Sequence, residues 1–360
     1  MGVVDLAKKL VTIPSVFGRE WEIGEFIASY FKGEELERQR VQGYPPNIII
    51  RREVDESRPT ILLNGHMDTV EPSFEWTKAP FSATIEEGRL YGLGASDMKG
   101  GLAVLMDAFK SVQSPRSNVI MSIVVDEEGV STGAYKLLDD VKADVCLVTE
   151  PTHEKTILGS RGRYALEIEL FGKKTHGSRP EEGVNAVSEV SRVLDVLDEI
   201  ELGRHDKLGK ASLAPLKIRG GGDSLSIPDY CNLLVDRHIV PGEDGEDVMR
   251  AFKEKIDSLG LRCRFKISWM KRSTPFLEPY VLSRSNEQVM RFAQVHEEHF
   301  GRQPEFKYAS GPGDYNVFAT KMPTLVLGPA GGDWHRPDEY VEIESLNTCR
   351  DFYVHLLETF

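Results

Sequence analysis

The alternation of short apolar runs with helical segments over the first 160 residues most strongly constrains the fold. The apolar runs, each with the length of a buried strand, are 47–50, 60–63, 119–125 and 145–149. Apolar residues recur at helical spacing in 20–31 and 98–112. This alternation predicts an α/β domain with a mostly parallel sheet covered by helices on both faces.

A different pattern occupies the middle of the chain. Strand-like runs at 163–171, 212–219, 232–240 and 262–269 enclose helical segments at 184–197 and 247–259. Their order, β-α-β-β-α-β, is typical of a ferredoxin-like α+β unit. Helix and strand patterns then resume at 285–300, 323–327 and 343–357. We therefore predict that residues 162–273 form an inserted domain within a catalytic domain made of residues 1–161 and 274–360.

Composition excludes several classes of partner. The 360 residues carry a net charge of -13, which argues against a nucleic-acid partner because phosphate binding needs concentrated lysine and arginine. No apolar stretch approaches the ~20 residues of a membrane span. The N-terminus lacks a secretory pattern, and the four cysteines are too dispersed for a zinc knot or redox motif. We expect a soluble, cytoplasmic protein with free, buried thiols.

Histidines and carboxylates follow the predicted buried strands. Ligand sites in open α/β sheets collect beyond the carboxyl ends of the strands, so residues there should converge. The candidates at these strand ends, together with one aspartate just before a predicted helix, are His66, Asp68, Asp97, Glu127, Glu128, Glu150 and His335. Two imidazoles among several carboxylates suit Zn²⁺ or a similar cation.

Each candidate also has an ordinary explanation. A lone histidine at a strand end is more often hydrogen-bonded to its surroundings than bound to a metal. Asp97 could cap the following helix. Glu127 and Glu128 could form a solvated turn, and Glu150 could end a strand. The joint pattern, rather than any single residue, indicates a metal centre.

The segments around these residues resemble those of one enzyme family, in the same order. They are Asn64-Gly65-His66-Met67-Asp68, Ser96-Asp97-Met98-Lys99-Gly100, Asp126-Glu127-Glu128-Gly129, Glu150-Pro151 and His335-Arg336-Pro337-Asp338-Glu339. The family is that of the co-catalytic metallopeptidases, which includes acetylornithine deacetylase, succinyl-diaminopimelate desuccinylase, aminoacylase and a glutamate carboxypeptidase. The resemblance covers essentially the whole chain and implies a metal-dependent hydrolase of amide bonds.

The resemblance implies two divalent metal ions, zinc foremost, with cobalt or manganese as alternatives. His66, Asp97 and Glu150 would hold one ion, and Asp97, Glu128 and His335 the other. With Asp97 as the bridge, two cations can share one water and lower its pKa.

Three further roles follow from the resemblance. Asp68 would orient the imidazole of His66, and Glu127 would be the general base. His176, in a His-x-Ser-x-Pro segment, matches a residue that reaches a neighbouring subunit's active site and stabilises the oxyanion. This implies a homodimer built through the inserted domain, which would also act as a lid. The alternative for His176 is an ordinary turn histidine.

The expected carboxylate anchors of the substrate are missing. Leu225 stands where relatives have asparagine, and His238 where an arginine is common. Arg237, His238 and Arg272 are the candidates to replace them, and the alternative for each is a surface charge or a fold contact. A histidine anchor would make substrate binding more sensitive to pH than an arginine anchor.

The segment Gly313-Asp314-Tyr315-Asn316 is similar to that of the acetylornithine and acyl-lysine deacylases. Gly313 and Asp314 are candidates for substrate contact, and Asp314 could meet a substrate ammonium or hold a glycine-rich turn. We therefore expect a deacylase of N-acetylornithine or acyl-lysine. The alternatives are a succinyl-diaminopimelate desuccinylase, a metallo-dipeptidase or carboxypeptidase, and an inactive homologue that only binds metal or amino acid.

Overall fold

Residues 1–222 and 224–360 are described by a computed structural model, in which the chain divides into two compact units. The first unit comprises Met1–Gly159, Val281–Tyr308 and Gly313–Phe360, and the second comprises Ser160–Tyr280 and Ala309–Pro312. The second unit thus extends further along the chain than the insertion predicted at 162–273. It also takes a short return segment that the sequence pattern assigned to the catalytic domain.

The elements are numbered in chain order. The described strands are β1 (Glu35–Gln39), β2 (Asn47–Arg52), β3 (Thr60–His66), β4 (Thr84–Glu86), β5 (Arg89–Tyr91), β6 (Asn118–Val124), β7 (Val145–Val148), β8 (Thr156–Ser160), β9 (Gly162–Phe171), β10 (Thr175–His176), β11 (Arg204–His205), β12 (Gly209–Lys210), β13 (Ser212–Gly220), β14 (Ser226–Ile227), β15 (Tyr230–Ile239), β16 (Arg264–Trp269), β17 (Tyr280–Val281), β18 (Phe306–Ala309), β19 (Thr324–Val326), β20 (Gly331–Gly332) and β21 (Tyr340–Glu342). The described α-helices are α1 (Val3–Val11), α2 (Trp21–Tyr30), α3 (Gly100–Ser111), α4 (Thr132–Asp140), α5 (Ala186–Leu197), α6 (Gly245–Asp257), α7 (Glu287–Phe300), α8 (Asp314–Ala319) and α9 (Ile343–Thr359).

The main sheet of the first unit has the order β1-β2-β6-β3-β7-β19-β8-β17, with β18 beside β8. Its centre is parallel, because β3 pairs in parallel with β6 and β7, and β19 pairs in parallel with β7. Strands β1, β2 and β8 add antiparallel pairings on either side. The predicted α/β fold class is confirmed, and the sheet is mixed rather than uniformly parallel.

Helices cover this sheet because the central strands are apolar on both faces. In β3, Ile61, Leu62 and Leu63 are all buried, the pattern expected of a strand enclosed on both sides. Helix α3 packs against β3 and between α1 and α9, whereas α4 and α8 pack together over β6, β7 and β19. Gly101 permits the close approach of α3, since a Cβ there would lie 2.1 Å from the carbonyl oxygen of Thr149.

The second unit is built on the antiparallel sheet β13-β15-β9-β16. Numbered in their own order, these strands lie as 2-3-1-4, which is the ferredoxin-like arrangement expected from the sequence. Helices α5 and α6 contact each other, and α5 packs on β9 and β15. Strand β13 lies at the edge of the sheet, where Leu216 and Ile218 expose 53% and 48% of their surface.

No described helix is both long enough and apolar enough to cross a membrane. All four cysteines are free and buried, as predicted.

Candidate metal centre

The central strands deliver the predicted histidines and carboxylates to one edge of the sheet. His66 is the last residue of β3, which runs beyond the predicted end at residue 63. Glu127 and Glu128 follow β6, and Glu150 follows β7. His335 lies in the segment after β19. Because β3, β6, β7 and β19 are parallel, their carboxyl ends share an edge.

Asp97 reaches the same place from a loop before α3. The loop turns at Gly94, whose φ of 76° lies in the left-handed region, and continues as a π-helical turn over Ala95–Lys99. The residue that caps α3 is Lys99, and it makes no side-chain capping bond. Asp97 therefore does not cap the helix, the alternative that the sequence left open. Its carboxylate faces the two histidines instead.

Ligand-type atoms form three overlapping groups; two of them match the predicted ligand sets, and the third joins His66 to Glu127 and Glu128. In the first, Nε2 of His66 lies 3.2 Å from Oδ1 of Asp97 and 3.6 Å from Oε1 of Glu150. In the second, Nε2 of His335 lies 3.1 Å from Oε1 of Glu128 and 3.4 Å from Oδ2 of Asp97. Asp97 thus presents one oxygen to each histidine, as a bridging ligand would. Within each group the ligand-type atoms lie within 4.8 Å of one another.

The hydrogen bonds of His66 show that these residues fit a cation. Its Nδ1 lies 3.0 Å from the main-chain carbonyl oxygen of Asp68, so Nδ1 carries the donated proton in the neutral ring. The lone pair of Nε2 then faces carboxylate oxygens. In the part of the chain that the structure describes, no lysine or arginine forms an ion pair with Asp97, Glu128 or Glu150. Two divalent ions would supply the missing positive charge, and nitrogen and oxygen donors suit them.

Electrostatic effects at the first group are large because the site is buried. Burial raises the pKa of Glu127 and Glu150 well above the ordinary carboxyl value. Burial also lowers the pKa of His66, but the charge of Glu150 and the contacts with Asp68 and Asp97 outweigh it and raise that pKa well above its usual range. Without a bound cation, the site therefore favours protons.

The second group is more open and behaves similarly. Hydrogen bonds to Asp97 and Glu128 raise the pKa of His335 to about 10. Burial would raise the pKa of Asp97, yet the two histidines hold it well below its usual range. The carboxylates of Asp97 and Glu128 already face His335, so a cation could replace these protons without a rearrangement of the side chains.

Asp68 contacts His66 in a different way from the one expected. Its main-chain oxygen is the closest acceptor for Nδ1, while its carboxylate Oδ1 lies at 3.4 Å. The other carboxylate oxygen, Oδ2, accepts the main-chain N–H of Glu128 at 2.9 Å. Asp68 therefore connects the end of β3, which carries His66, to the loop after β6, which carries Glu128.

Glu127 lies at the border of the cluster, with Oε2 4.0 Å from Nε2 of His66. Its other oxygen approaches Gly313 so closely that a Cβ there would lie 2.9 Å from Oε1. The sequence suggested Gly313 as a substrate contact. The structure gives an additional reason for glycine, because any side chain would press on the Glu127 carboxylate.

The candidate anchors for a substrate carboxylate are all engaged within the second unit. Arg237 is buried, and its guanidinium donates to the carboxylate of Glu243 and the carbonyl oxygen of His238. The ring of His238 lies between the Asp236 carboxylate, at 3.1 Å, and another main-chain oxygen. The guanidinium of Arg272 donates to the Thr274 hydroxyl at 2.8 Å. Arg237 in particular has the surroundings of a fold contact.

His176 belongs to neither metal-ligand group. It is exposed in the second unit, where its Nδ1 lies 2.8 Å from the hydroxyl of Ser178. It ends the short strand β10, directly before a turn.

Glu339 is a buried residue beside the site that received no role from the sequence. Its carboxylate accepts main-chain N–H groups from the loop that carries Asp97. The available signal was its place four residues after His335, in a segment already marked by the family resemblance. A sequence motif does not show which way a glutamate side chain turns.

Groups of candidate metal ligands at the carboxyl ends of the strands of an α/β sheet suit a metal-dependent hydrolase. Two divalent ions held by such residues would provide Lewis acidity and would lower the pKa of water. The chain belongs to peptidase family M20/M25/M40, whose family model matches residues 62–359. It is therefore an enzyme that hydrolyses amide bonds.

Two curated relatives are similar over nearly the whole chain. One is the succinyl-diaminopimelate desuccinylase of Nautilia profundicola, which is 27% identical over 99% of this chain and 99% of that protein. The other is the acetylornithine deacetylase of Pectobacterium carotovorum, which is 25% identical over 99% of this chain and 97% of that protein.

Solved structures share the fold at lower identity. The metallo-carboxypeptidase Sso-CP2 of family M20, from Sulfolobus solfataricus, is 18% identical with a TM-score of 0.81, over 99% of this chain and 98% of that one. The YXEP protein of Bacillus subtilis, described as a dinuclear metal-binding peptidase of family M20, is 15% identical with a TM-score of 0.72. The match covers 99% of this chain and 98% of that one.

Proposed function

We propose that this enzyme removes the acyl group from an N-acyl diamino acid and releases a basic amino acid such as ornithine or lysine. The names of the two curated relatives support this choice, because both diaminopimelate and ornithine carry a second amino group. The observation that carries the proposal is the environment of Asp314, which offers negative charge beside the candidate base.

Asp314 is 1% exposed, and neither of its carboxylate oxygens has a hydrogen-bond partner among the described residues. Burial raises its pKa to about 7, although the nearby hydroxyl of Ser131 opposes the rise. A buried carboxylate without a partner is costly unless it holds a proton or meets a cation. It directly follows Gly313, which lies against Glu127. The ammonium of a bound diamino acid would provide the missing partner.

The remaining roles are those that the family resemblance implies, and the geometry of the site supports them. Glu127 takes a proton from the attacking water and delivers it to the leaving nitrogen, a role that a buried carboxylate of raised pKa suits. His66, Asp97, Glu128, Glu150 and His335 hold the two divalent ions, which we take to be zinc, with cobalt or manganese able to replace it. Four free, buried thiols accord with a reducing compartment such as the cytoplasm.

The test of the substrate uses matched pairs of compounds. N-acetylornithine and N-acetylnorvaline differ only by the side-chain amine, as do N-acetyllysine and N-acetylnorleucine. We expect the amine-bearing member of a pair to have the higher kcat/KM, and Asp314→Asn to lower its kcat/KM about 100-fold, as for loss of a buried charge pair. The amine-free member should be little affected. An equal loss for both members would mean that Asp314 serves the fold rather than the substrate.

A desuccinylase or a dipeptidase is the second candidate. One curated relative is a desuccinylase, and a structural neighbour is a metallo-carboxypeptidase. Succinyl-diaminopimelate and simple dipeptides should be assayed beside the acetylated amino acids. If neither acetylated basic amino acid is hydrolysed while one of these is, the deacetylase proposal is refuted.

We further propose a homodimer through the second unit, with His176 acting in the partner's active site. In support, β13 is an edge strand with exposed Leu216 and Ile218, and Val187 of α5 exposes a further 39% of its surface. An open strand edge with apolar side chains is suited to pairing with a second copy.

Subunit mixing tests this arrangement. His176→Ala and Glu127→Ala homodimers should both be inactive. Mixed dimers should regain activity, because one of their two sites combines an intact Glu127 with an intact His176 from the other subunit. Failure to regain activity in dimers shown to have mixed, or a fully active monomer in sedimentation, would refute the proposal.

A further inference from the structure

We infer that Glu339 is a positioning residue that holds the bridging carboxylate of Asp97 in place through the main chain of its loop. The inference rests on the proposed metal-binding role of Asp97, and it does not depend on the identity of the substrate. Glu339 touches neither a metal-ligand atom nor the place where a substrate would react. It acts through the peptide groups of residues 94–97.

The contacts are numerous and closely matched in length. Oε1 of Glu339 accepts the main-chain N–H groups of Ser96 and Asp97, both at 2.9 Å, and Oε2 accepts the N–H of Gly94 at 2.9 Å. The main-chain oxygen of Glu339 accepts the N–H of Gly92, also at 2.9 Å. The residue is 1% exposed, so water does not compete for these bonds.

The loop needs such a partner because it turns too sharply to satisfy its own amides. Gly94 adopts a left-handed φ, and a Cβ there would lie 2.6 Å from Cγ2 of Thr69. The N–H groups of Ser96 and Asp97 precede the regular turns of α3, where amides lack a carbonyl partner. A carboxylate at such a site makes strong, charge-assisted bonds. Three bonds to two oxygens fix both the position and the rotation of the loop.

Glu339 also connects Asp97 and His335, two of the three candidate ligands of the second group. His335 lies four positions before Glu339, and β21 follows it directly and pairs with β5. The segment that supplies the second histidine therefore also sets the orientation of the bridging aspartate. Asp97 must place one oxygen 3.2 Å from His66 and the other 3.4 Å from His335, which leaves little freedom for its loop.

The neighbouring Asp338 provides a matched control. Its carboxylate also holds main-chain amides, accepting from the N–H of Thr77 and of Lys78 at 3.0 Å each. Those amides belong to a different loop, so Asp338→Ala removes a similar clamp without touching residues 94–97. A general loss of stability should appear in both variants, whereas a change at the metal site should appear only in the Glu339 variants.

The experiment measures metal binding in the absence of substrate. Metal-free protein is titrated with Zn²⁺ by calorimetry and with Co²⁺ by absorption spectroscopy, which reports ligand geometry. We expect Glu339→Ala to weaken binding about 10- to 100-fold, as other groups that orient metal ligands do, and to alter the Co²⁺ spectrum. Glu339→Gln should recover part of the affinity, since its carbonyl oxygen can still accept from Ser96 and Asp97. Asp338→Ala should bind both ions as the wild type does.

Wild-type affinity and an unchanged Co²⁺ spectrum in a folded Glu339→Ala protein would overturn the inference and leave only a structural role. If that variant does not fold, the same outcome in Glu339→Gln would overturn it. The Glu339 variants could instead bind metal as expected here while the wild-type enzyme hydrolyses no acylated diamino acid. That outcome would reject the proposed substrate and leave this inference standing.

Discussion

Gly313→Ala separates the position of the candidate base from the stability of the fold. The backbone of Gly313 is extended, with φ at -156°, so alanine can adopt it without strain. The added Cβ would lie 2.9 Å from Oε1 of Glu127 and 2.8 Å from ring atom Cε1 of Tyr315. Ordinary contact begins near 3.4 Å, so the Glu127 carboxylate must withdraw by about 0.5 Å.

The catalytic effect should exceed the effect on folding. A misplacement of ~1 Å can cost about 100-fold in rate, so a withdrawal of about half that distance should lower kcat about 10-fold, or ~1.4 kcal/mol of transition-state stabilisation. The carboxylate is the free end of a flexible side chain and can move, whereas the Tyr315 ring must adjust within the core. We expect a loss of unfolding free energy of about 1 kcal/mol and an unchanged metal content.

The assay combines kcat and KM for the best substrate with metal analysis and urea unfolding. Gly311→Ala is the matched control, since a Cβ at Gly311 meets nothing within 4 Å, and it should behave as the wild type. A folded Gly313→Ala enzyme with full kcat would refute the reasoning that Glu127 must hold its position. Loss of bound metal would show that the added methyl disturbs the ligand loop rather than the base.

Three further outcomes are expected. Glu127→Ala should abolish turnover with both ions still bound, and activity in the metal-loaded variant would contradict the assignment. Removal of the ions by a chelator should stop hydrolysis and lower Tm, and both effects should be reversible. Ions present at about 1,000 times their Kd stabilise the folded state by ~4 kcal/mol, so an unchanged Tm would contradict the proposed metal sites. Burial raises the pKa of Glu20 to about 7, so the folded state retains a proton that the unfolded state loses above the ordinary carboxyl pKa. The contribution of Glu20 to the free energy of unfolding therefore falls as pH rises toward 7, by up to about 3 kcal/mol. Urea unfolding at pH 5 and at pH 8 measures this fall, and Glu20→Gln should make it smaller. An equal fall in the variant would exclude Glu20 as its source.

The sequence predicted the central architecture because burial leaves a clear mark on it. The apolar strands that became β3, β6 and β7, and the strand ends that carry His66 and Glu150, were all visible as patterns. Strand β1 was missed because its sequence, Glu-Leu-Glu-Arg-Gln, is polar, as an exposed edge strand can be. The parallel centre could be inferred, but the antiparallel flanks depend on contacts distant in the chain.

Side-chain direction was the part that the sequence could not supply. Asp97 could equally have capped a helix, and only the turn after Gly94 aims it at the histidines. Arg237 reads as a possible anchor, yet it is buried against Glu243. Glu339 belongs to a marked segment, but its partners are amides more than two hundred residues earlier in the chain. Such roles are set by tertiary packing rather than by local pattern.

The parallel pairing of β19 with β7 has a consequence for how the protein folds during synthesis. In the chain, β7 lies before the second unit and β19 lies after it. The main sheet of the first unit can therefore pair these two strands only after the long segment between them has been synthesised. Helix α9, which packs on α1 and α3, comes later in the chain than β19. The main segment of the second unit is synthesised before β19 and α9, so it should fold while the first unit still awaits that strand and that helix. Until that moment His335 is absent, and the newly made chain has no complete metal centre.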